Sequence, residues 1–166
     1  SHRNHASIVG ITRCLPSLAG NNFIKEIENL DKLLDSPVKL KTAIIGGSKV
    51  STKLKLLNNL IKIFDTLIIG GAMANTFLLA QGFNIGKSLV ETDLANDAKQ
   101  ILNNSNYYKT KVILPVDLVV ANSIEDKIDI KIVDVENFPP NQMAFDIGNQ
   151  TIKLIKLSLL KSNIIF

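Results

Sequence analysis

The sequence predicts an α/β protein built on parallel strands, and three observations carry that prediction. Ala43-Ile44-Ile45-Gly46-Gly47-Ser48-Lys49 and Thr66-Leu67-Ile68-Ile69-Gly70-Gly71-Ala72 share one grammar: a short apolar run, two glycines, then a helical segment. Two strand–turn–helix units in succession make parallel strands, because each crossover must carry the chain back over the sheet. A further apolar run, Asn163-Ile164-Ile165-Phe166, reads as another strand of the same kind.

The first unit is the richest in chemistry. Its strand turns tightly through Gly46-Gly47, and Val50, Leu54, Leu57, Ile61 and Phe64 then recur at helical spacing. Lys49 and Lys53 are predicted to project from one face at the start of that helix. Early helical N–H groups lack internal partners, glycines let the main chain come close to an anion, and the lysines add charge. Together they form a place to hold phosphate. In the second unit, Met73 to Gln81 reads as a short helix closed by Gly82. Both Gly-Gly turns fall on the carboxyl edge of the sheet, where ligands of open α/β sheets bind, so one phosphate-bearing ligand could touch both.

Around these units the pattern is legible in order. The opening Ser-His-Arg-Asn-His-Ala-Ser is followed by Ile8, Ile11 and Leu15, a short helix stopped by Pro16. Arg3, with His2 and His5, could serve an anion site, since a guanidinium fork matches carboxylate and phosphate; a solvated helix entry is the structural alternative. From Gly20 an amphipathic helix carries Phe23, Ile24, Ile27, Leu30 and Leu34 on one stripe and ends at Ser36-Pro37.

Gly82-Phe83-Asn84-Ile85-Gly86-Lys87-Ser88 falls one residue short of a P-loop and follows a helix rather than a strand, so it reads as a surface turn. Asp93 to Asn104 reads as a helix with Leu94, Ala98, Ile101 and Leu102 inward. Val112-Ile113-Leu114 is a buried strand that Pro115 to Val120 continues irregularly; Asp117 interrupts the apolar run either as a cap of local backbone, the leading reading, or as a residue facing the ligand edge. Ile124 to Asp134 alternates as a half-exposed strand or hairpin, and Phe138-Pro139-Pro140 is a loop. Met143 to Gly148 leads to a helix near Thr151 to Leu160 that turns Ile152, Ile155 and Leu159 inward.

Composition excludes several classes. The chain of 166 residues is long enough for one domain with a substantial core. Its net charge of +4 is dispersed and aromatics are only 5%, against a nucleic-acid surface. A single cysteine, Cys14, rules out a disulfide framework or a thiolate metal site and reads as a small core residue. No apolar run has the length of a membrane span, so a cytoplasmic protein without membrane contact is expected. No Ser/His/Asp or Cys/His arrangement and no metal-ligand spacing is present, and the G-x-G-x-x-G dinucleotide fingerprint is absent.

Six motifs then occur in one order: His2-Arg3-x-His5-Ala6-Ser7; Gly46-Gly47-Ser48-Lys49-Val50-Ser51-x-Lys53; Gly70-Gly71-Ala72-Met73-Ala74-Asn75-Thr76-Phe77-Leu78; Gly86-Lys87-Ser88-Leu89; Leu114-Pro115-Val116-Asp117; and Met143-x-x-Asp146-x-Gly148. In this the chain resembles the phosphoglycerate kinases along essentially its whole length. The resemblance implies a three-layer Rossmann-like parallel sheet, part of a nucleotide-binding domain, preceded by an interdomain helix. Residues 1–20 would end the 3-phosphoglycerate domain, 21–36 form the linking helix, and 37–166 make an incomplete nucleotide domain.

The family's chemistry is reversible phosphoryl transfer between 1,3-bisphosphoglycerate and ADP, giving 3-phosphoglycerate and ATP, with Mg²⁺. By resemblance, Arg3 binds the acid substrate with His2 and His5, and Lys49 follows the transferred phosphoryl group. Lys53 would hold nucleotide phosphates, Gly47, Ser48 and Gly71 would surround the nucleotide, and Ala144 and Phe145 would line the adenine pocket. No metal ligand falls within this stretch; the magnesium ligand of the family lies beyond it. The family is usually monomeric.

Five positions depart from the family pattern. Thr52 stands for Asp, Ala72 for the third glycine of a turn, and Gln142, Ala144 and Phe145 for Trp, Gly and Leu. With the Asn-Gly-Pro segment and the glycine-rich phosphate loop also outside these residues, the stretch alone is expected to turn over negligibly. A non-catalytic nucleotide-binding remnant of a decayed kinase gene is the alternative from a different class. An unrelated NAD-binding domain is disfavoured by the missing fingerprint.

Overall fold

The computed structural model describes residues 4–35, 37–125 and 129–166, and of Leu33, Leu34 and Asp35 only the backbone. His2 and Arg3 lie outside the described residues. The chain divides into two compact units, one up to Pro37 and one from Val38 onward.

In the first unit the expected short helix is an irregular pair of turns, a wide π-type turn over Ala6–Gly10 followed by a 3-10 turn over Ile11–Arg13. Ile8, Ile11 and Leu15 are exposed. Cys14 is exposed as well, which corrects its reading as a core residue. Helix α1, Asn21–Asp35, is the amphipathic helix read from its stripe, though Phe23, Ile24, Ile27 and Leu30 all remain exposed.

The second unit holds a parallel sheet of β1 (Lys41–Ile45), β2 (Thr66–Ile69), β3 (Lys111–Ile113) and β7 (Ile164–Ile165), in the order β3-β2-β1-β7. Ala43 lies opposite Leu67, and Leu67 opposite Val112, so each apolar row continues from strand to strand. Helix α2 (Leu54–Ile63) crosses from β1 to β2; α3 (Met73–Ala80) and α4 (Ala95–Tyr108) cross from β2 to β3. Right-handed crossovers in that strand order put these three helices on one face. The chain then returns past α5 (Asn149–Leu159) to β7 on the opposite side of β1, and the same handedness lays α5 on the other face. The Thr42 hydroxyl meets that of Ser162, just beyond α5, at 2.6 Å.

Ala43, Leu57, Ile61, Leu67, Ile68, Ile69, Met73, Phe77 and Ile101 make the dry centre of the unit. Burying each of the larger ones contributes about 1.5–3 kcal/mol. Gly82, at φ +94, closes α3 as expected, with the Phe83 amide reaching back to the Leu78 carbonyl.

The sequence missed a second sheet. The residues after Leu114-Pro115 do not continue β3; they form β4, Asp117–Ala121, which pairs antiparallel with β5 (Lys131–Asp134) and β6 (Met143–Ile147). Pro115 has no N–H to offer a ladder, so the chain leaves the parallel sheet there. Of the stretch Ile124 to Asp134, read as a half-exposed strand or hairpin, Lys131–Asp134 is strand β5, and its hairpin partner is β4, which lies before that stretch. Its core, Leu118, Val120, Val135 and Phe138, joins Leu78 and Ile85. Ile85 and Ser88 are therefore buried, and a Cβ on Gly86 would overlap the Gln142 carbonyl oxygen. The stretch read as a surface turn is a packed connection. On α5, Thr151 is buried while Ile152 is exposed, the reverse of the expected stripe at that end.

Candidate functional site

The two Gly-Gly turns meet at the carboxyl edge of β1 and β2. The Gly70 amide donates to the Ile45 carbonyl at 2.9 Å, and the Met73 amide to the Gly47 carbonyl at 2.9 Å. Gly71 has φ +68, and a Cβ on it would stand 2.7 Å from the Gly47 oxygen and 2.9 Å from the Gly47 nitrogen. Only glycine satisfies both the backbone conformation and that approach. Ala72, which takes the place of a further glycine, has ordinary helical angles of φ −65 and ψ −20, so its methyl group brings no backbone strain.

The lysines are arranged differently from the expectation. Helix α2 begins at Leu54, after a loop that runs through Ser48–Thr52 and a turn closed by the Lys53 amide on the Val50 carbonyl. Lys49 is exposed on that loop, and Lys53 occupies the position just before the helix. They do not share a helical face. The reason is burial: Val50 is fully buried before the helix starts, and burying it draws the loop inward. Lys53 still returns to the glycine turn, since a Cβ on Gly47 would lie 3.2 Å from its Cε. The Thr52 hydroxyl donates to the Lys49 carbonyl at 3.2 Å, closing the loop where an aspartate would have offered charge.

Beside Gly71 opens a cavity of about 160 Å³, lined by Gly71, Ala72, Asn75, Pro115, Ala144 and Phe145 together with neighbours on β4 and β6. Ala144 and Phe145 thus lie beside the second glycine turn even though more than seventy residues separate them in sequence. Gln142 is buried and donates to the Asn122 side chain at 3.3 Å, so it braces the end of β6. Asp117 has the capping role read from sequence. It accepts the amides of Gln150 and Thr151 and the Thr151 hydroxyl, across from the start of α5.

Reasoning from spacing missed Glu91. Its carboxylate accepts the Ser51 amide at 3.0 Å and the Ser51 hydroxyl at 2.6 Å. The Ser51 hydroxyl bond, then its amide bond, hold the Glu91 carboxyl below its usual range, with a smaller contribution from the charge of Lys49. No local pattern could have paired residues that far apart in the chain. His5 is exposed in the first unit, where its carbonyl accepts the Val9 amide at 2.8 Å. Among the described residues no group of three or more His, Cys, Asp or Glu could hold a metal ion, and no helix is long and apolar enough to cross a membrane.

A parallel α/β sheet with glycine turns crowded on its carboxyl edge belongs to the class that presents backbone and charge to a ligand at that edge. The family model described as phosphoglycerate kinase matches residues 1–166, and the chain belongs to that family. It is 44% identical over 165 residues to the phosphoglycerate kinase of Finegoldia magna, covering 99% of this chain and 42% of the relative. With that of Xanthobacter flavus it shares 45% identity over 159 residues, across 96% of this chain and 40% of the relative. The fold superposes on phosphoglycerate kinase from Coxiella burnetii with a TM-score of 0.85 at 37% identity, over 89% of this chain and 38% of that one. On the Pyrococcus horikoshii enzyme the TM-score is 0.82 at 30% identity, over 99% of this chain and 42% of that one. The chain spans about two fifths of the length of the curated relatives it matches.

Proposed function

We propose that this chain supplies the nucleotide-binding part of a phosphoglycerate kinase, which moves a phosphoryl group reversibly between 1,3-bisphosphoglycerate and ADP. One observation carries the reading: Gly71 belongs both to the crowded glycine edge and to the wall of the cavity beside Ala144 and Phe145. A ligand with an anionic end and a flat apolar end would therefore meet both surfaces without a gap. Nucleoside diphosphates have that shape.

In this reading Lys53, folded over Gly47, holds the nucleotide phosphates, and Lys49 on its exposed loop follows the phosphoryl group. Phosphoryl transfer asks a protein chiefly for positioning and for positive charge around the equatorial oxygens. Two lysines beside an exposed glycine turn supply part of both. Arg3, His2 and His5 would serve the acid substrate, with residues 1–20 closing that domain and 21–36 linking it to the nucleotide domain. Mg²⁺ would arrive on the nucleotide phosphates; among the described residues no group of three or more His, Cys, Asp or Glu could hold it.

The test is a titration of ADP into this chain beside a Lys53→Ala version, by calorimetry. Binding that weakens about tenfold in the variant, a change of about 1.4 kcal/mol, supports the reading. Absence of binding by either overturns it for this chain. Conversion of 1,3-bisphosphoglycerate by these residues alone is expected to be negligible, and measurable turnover would refute that expectation.

A further inference from the structure

The segment Ser88–Glu91 touches both ends of the proposed nucleotide site and is itself fastened in the middle. At one end the Ser88 hydroxyl accepts the amide of Ala144 at 2.9 Å, on β6 beside the cavity. At the other, Glu91 takes both hydrogen bonds from Ser51, between Lys49 and Lys53. Between them, the Leu89 carbonyl accepts the Asn75 side-chain amide at 3.0 Å, and the Glu91 amide donates to the Thr76 hydroxyl at 3.2 Å. Asn75 and Thr76 are 3% and 1% exposed, both on α3 immediately behind the Gly70-Gly71 turn. Buried polar groups with fixed partners hold their neighbours in one geometry, because breaking them leaves an unsatisfied dipole in a dry place.

We propose that Ser88–Glu91 is a strap that positions the two halves of the nucleotide site relative to one another. Glu91 is a positioning residue for the loop that carries Lys49 and Lys53, and Ser88 is one for Ala144 at the cavity. The inference rests on the nucleotide reading above and adds the device that keeps its phosphate side and its base side in register. The loop of Ser48–Thr52 has Glu91 as its side-chain anchor, and that anchor is tied to α3 rather than to the loop itself.

The strap predicts a split that a general loss of stability would not produce. Glu91→Gln keeps the shape but removes the charge that receives both Ser51 bonds. It is expected to weaken ADP and inorganic pyrophosphate alike, by roughly tenfold. Ser88→Ala loosens only the cavity end, so it weakens ADP and leaves pyrophosphate as it was. Amide hydrogen exchange, read on the same proteins without ligand, should speed at Ser51 and Lys53 in Glu91→Gln and at Ala144 in Ser88→Ala. Exchange at Leu67–Ile69 in the core should stay the same. Equal losses for both ligands in both variants, or faster exchange in the core, would overturn the strap as a local device. Unchanged binding and unchanged loop exchange would overturn it outright. Failure of the unaltered chain to bind ADP would instead sink the nucleotide reading, and the exchange measurement alone would then decide the strap.

Discussion

The Asp117 carboxylate accepts the Thr151 amide at 2.7 Å and the Thr151 hydroxyl at 2.6 Å, so a residue on β4 caps the start of α5. Gly148, the residue before the helix, brings no side chain of its own to that task. It could not carry one: a Cβ there would overlap the Asp117 carboxylate. The cap joins the antiparallel sheet to the helix that leads back into the parallel sheet.

Replacing Asp117 by Ala should therefore cost about 2–3 kcal/mol, because it orphans the buried Thr151 amide and the part-buried Gln150 amide at the first turn of α5 and removes an acceptor of the buried Thr151 hydroxyl. Burial by itself would raise the Asp117 carboxyl, but the hydrogen bonds from Thr151 and Gln150 outweigh it and bring it below the ordinary value of 3.8. A depressed folded-state value means the contribution is fully present above the unfolded value and is lost as pH falls through the folded one. Chemical denaturation as a function of pH should show this acid-side loss in the unaltered chain and a shallower one in Asp117→Asn.

Gly71→Ala should destabilise the protein by at least about 2 kcal/mol, since a left-handed backbone and a contact with the Gly47 main chain both oppose a methyl group. The same change pushes the two glycine turns apart, so ADP affinity should fall further than in Ala72→Gly. Thermal unfolding and calorimetry on the two variants separate these effects. Unaltered melting of the Gly71→Ala protein would refute the crowding read from the turn.

Thr110 is buried below the end of α2, where its hydroxyl reaches the carbonyls of Ile61 and Phe64. Thr110→Val keeps the shape and leaves those carbonyls without that donor, so a loss of about 1–2 kcal/mol is expected in urea unfolding. Site chemistry should be untouched, and ADP should bind as before.

If Lys49 and Lys53 hold phosphate by charge, affinity for ADP must fall with ionic strength. The screening length shrinks from about 30 Å at 0.01 M salt to about 8 Å at 0.15 M. A Lys49→Ala, Lys53→Ala double variant should bind weakly and with a much flatter salt dependence. Parallel slopes would place the governing charge elsewhere.

Local pattern was enough for everything that depends on neighbours in the chain. An apolar run ending in Gly46-Gly47 or Gly70-Gly71 reads as a buried strand turning into a helix, because period and backbone freedom are local properties. The same holds for the stripe of α1, the Gly82 closure of α3 and the capping role of Asp117. From these the parallel sheet and the meeting of both glycine turns at its carboxyl edge followed, and the motifs led to the family. What tertiary structure decided was set by contacts between distant residues. The depth of Val50 delayed the start of α2 and separated Lys49 from Lys53. The departure at Pro115 and the pairing of β4 with β6 made a second sheet and buried Ile85 and Ser88. The bond of Glu91 to Ser51 joins elements that are remote in sequence. Burial and long-range hydrogen bonding are properties of the assembled chain, and no spacing along it encodes which partner each residue will meet.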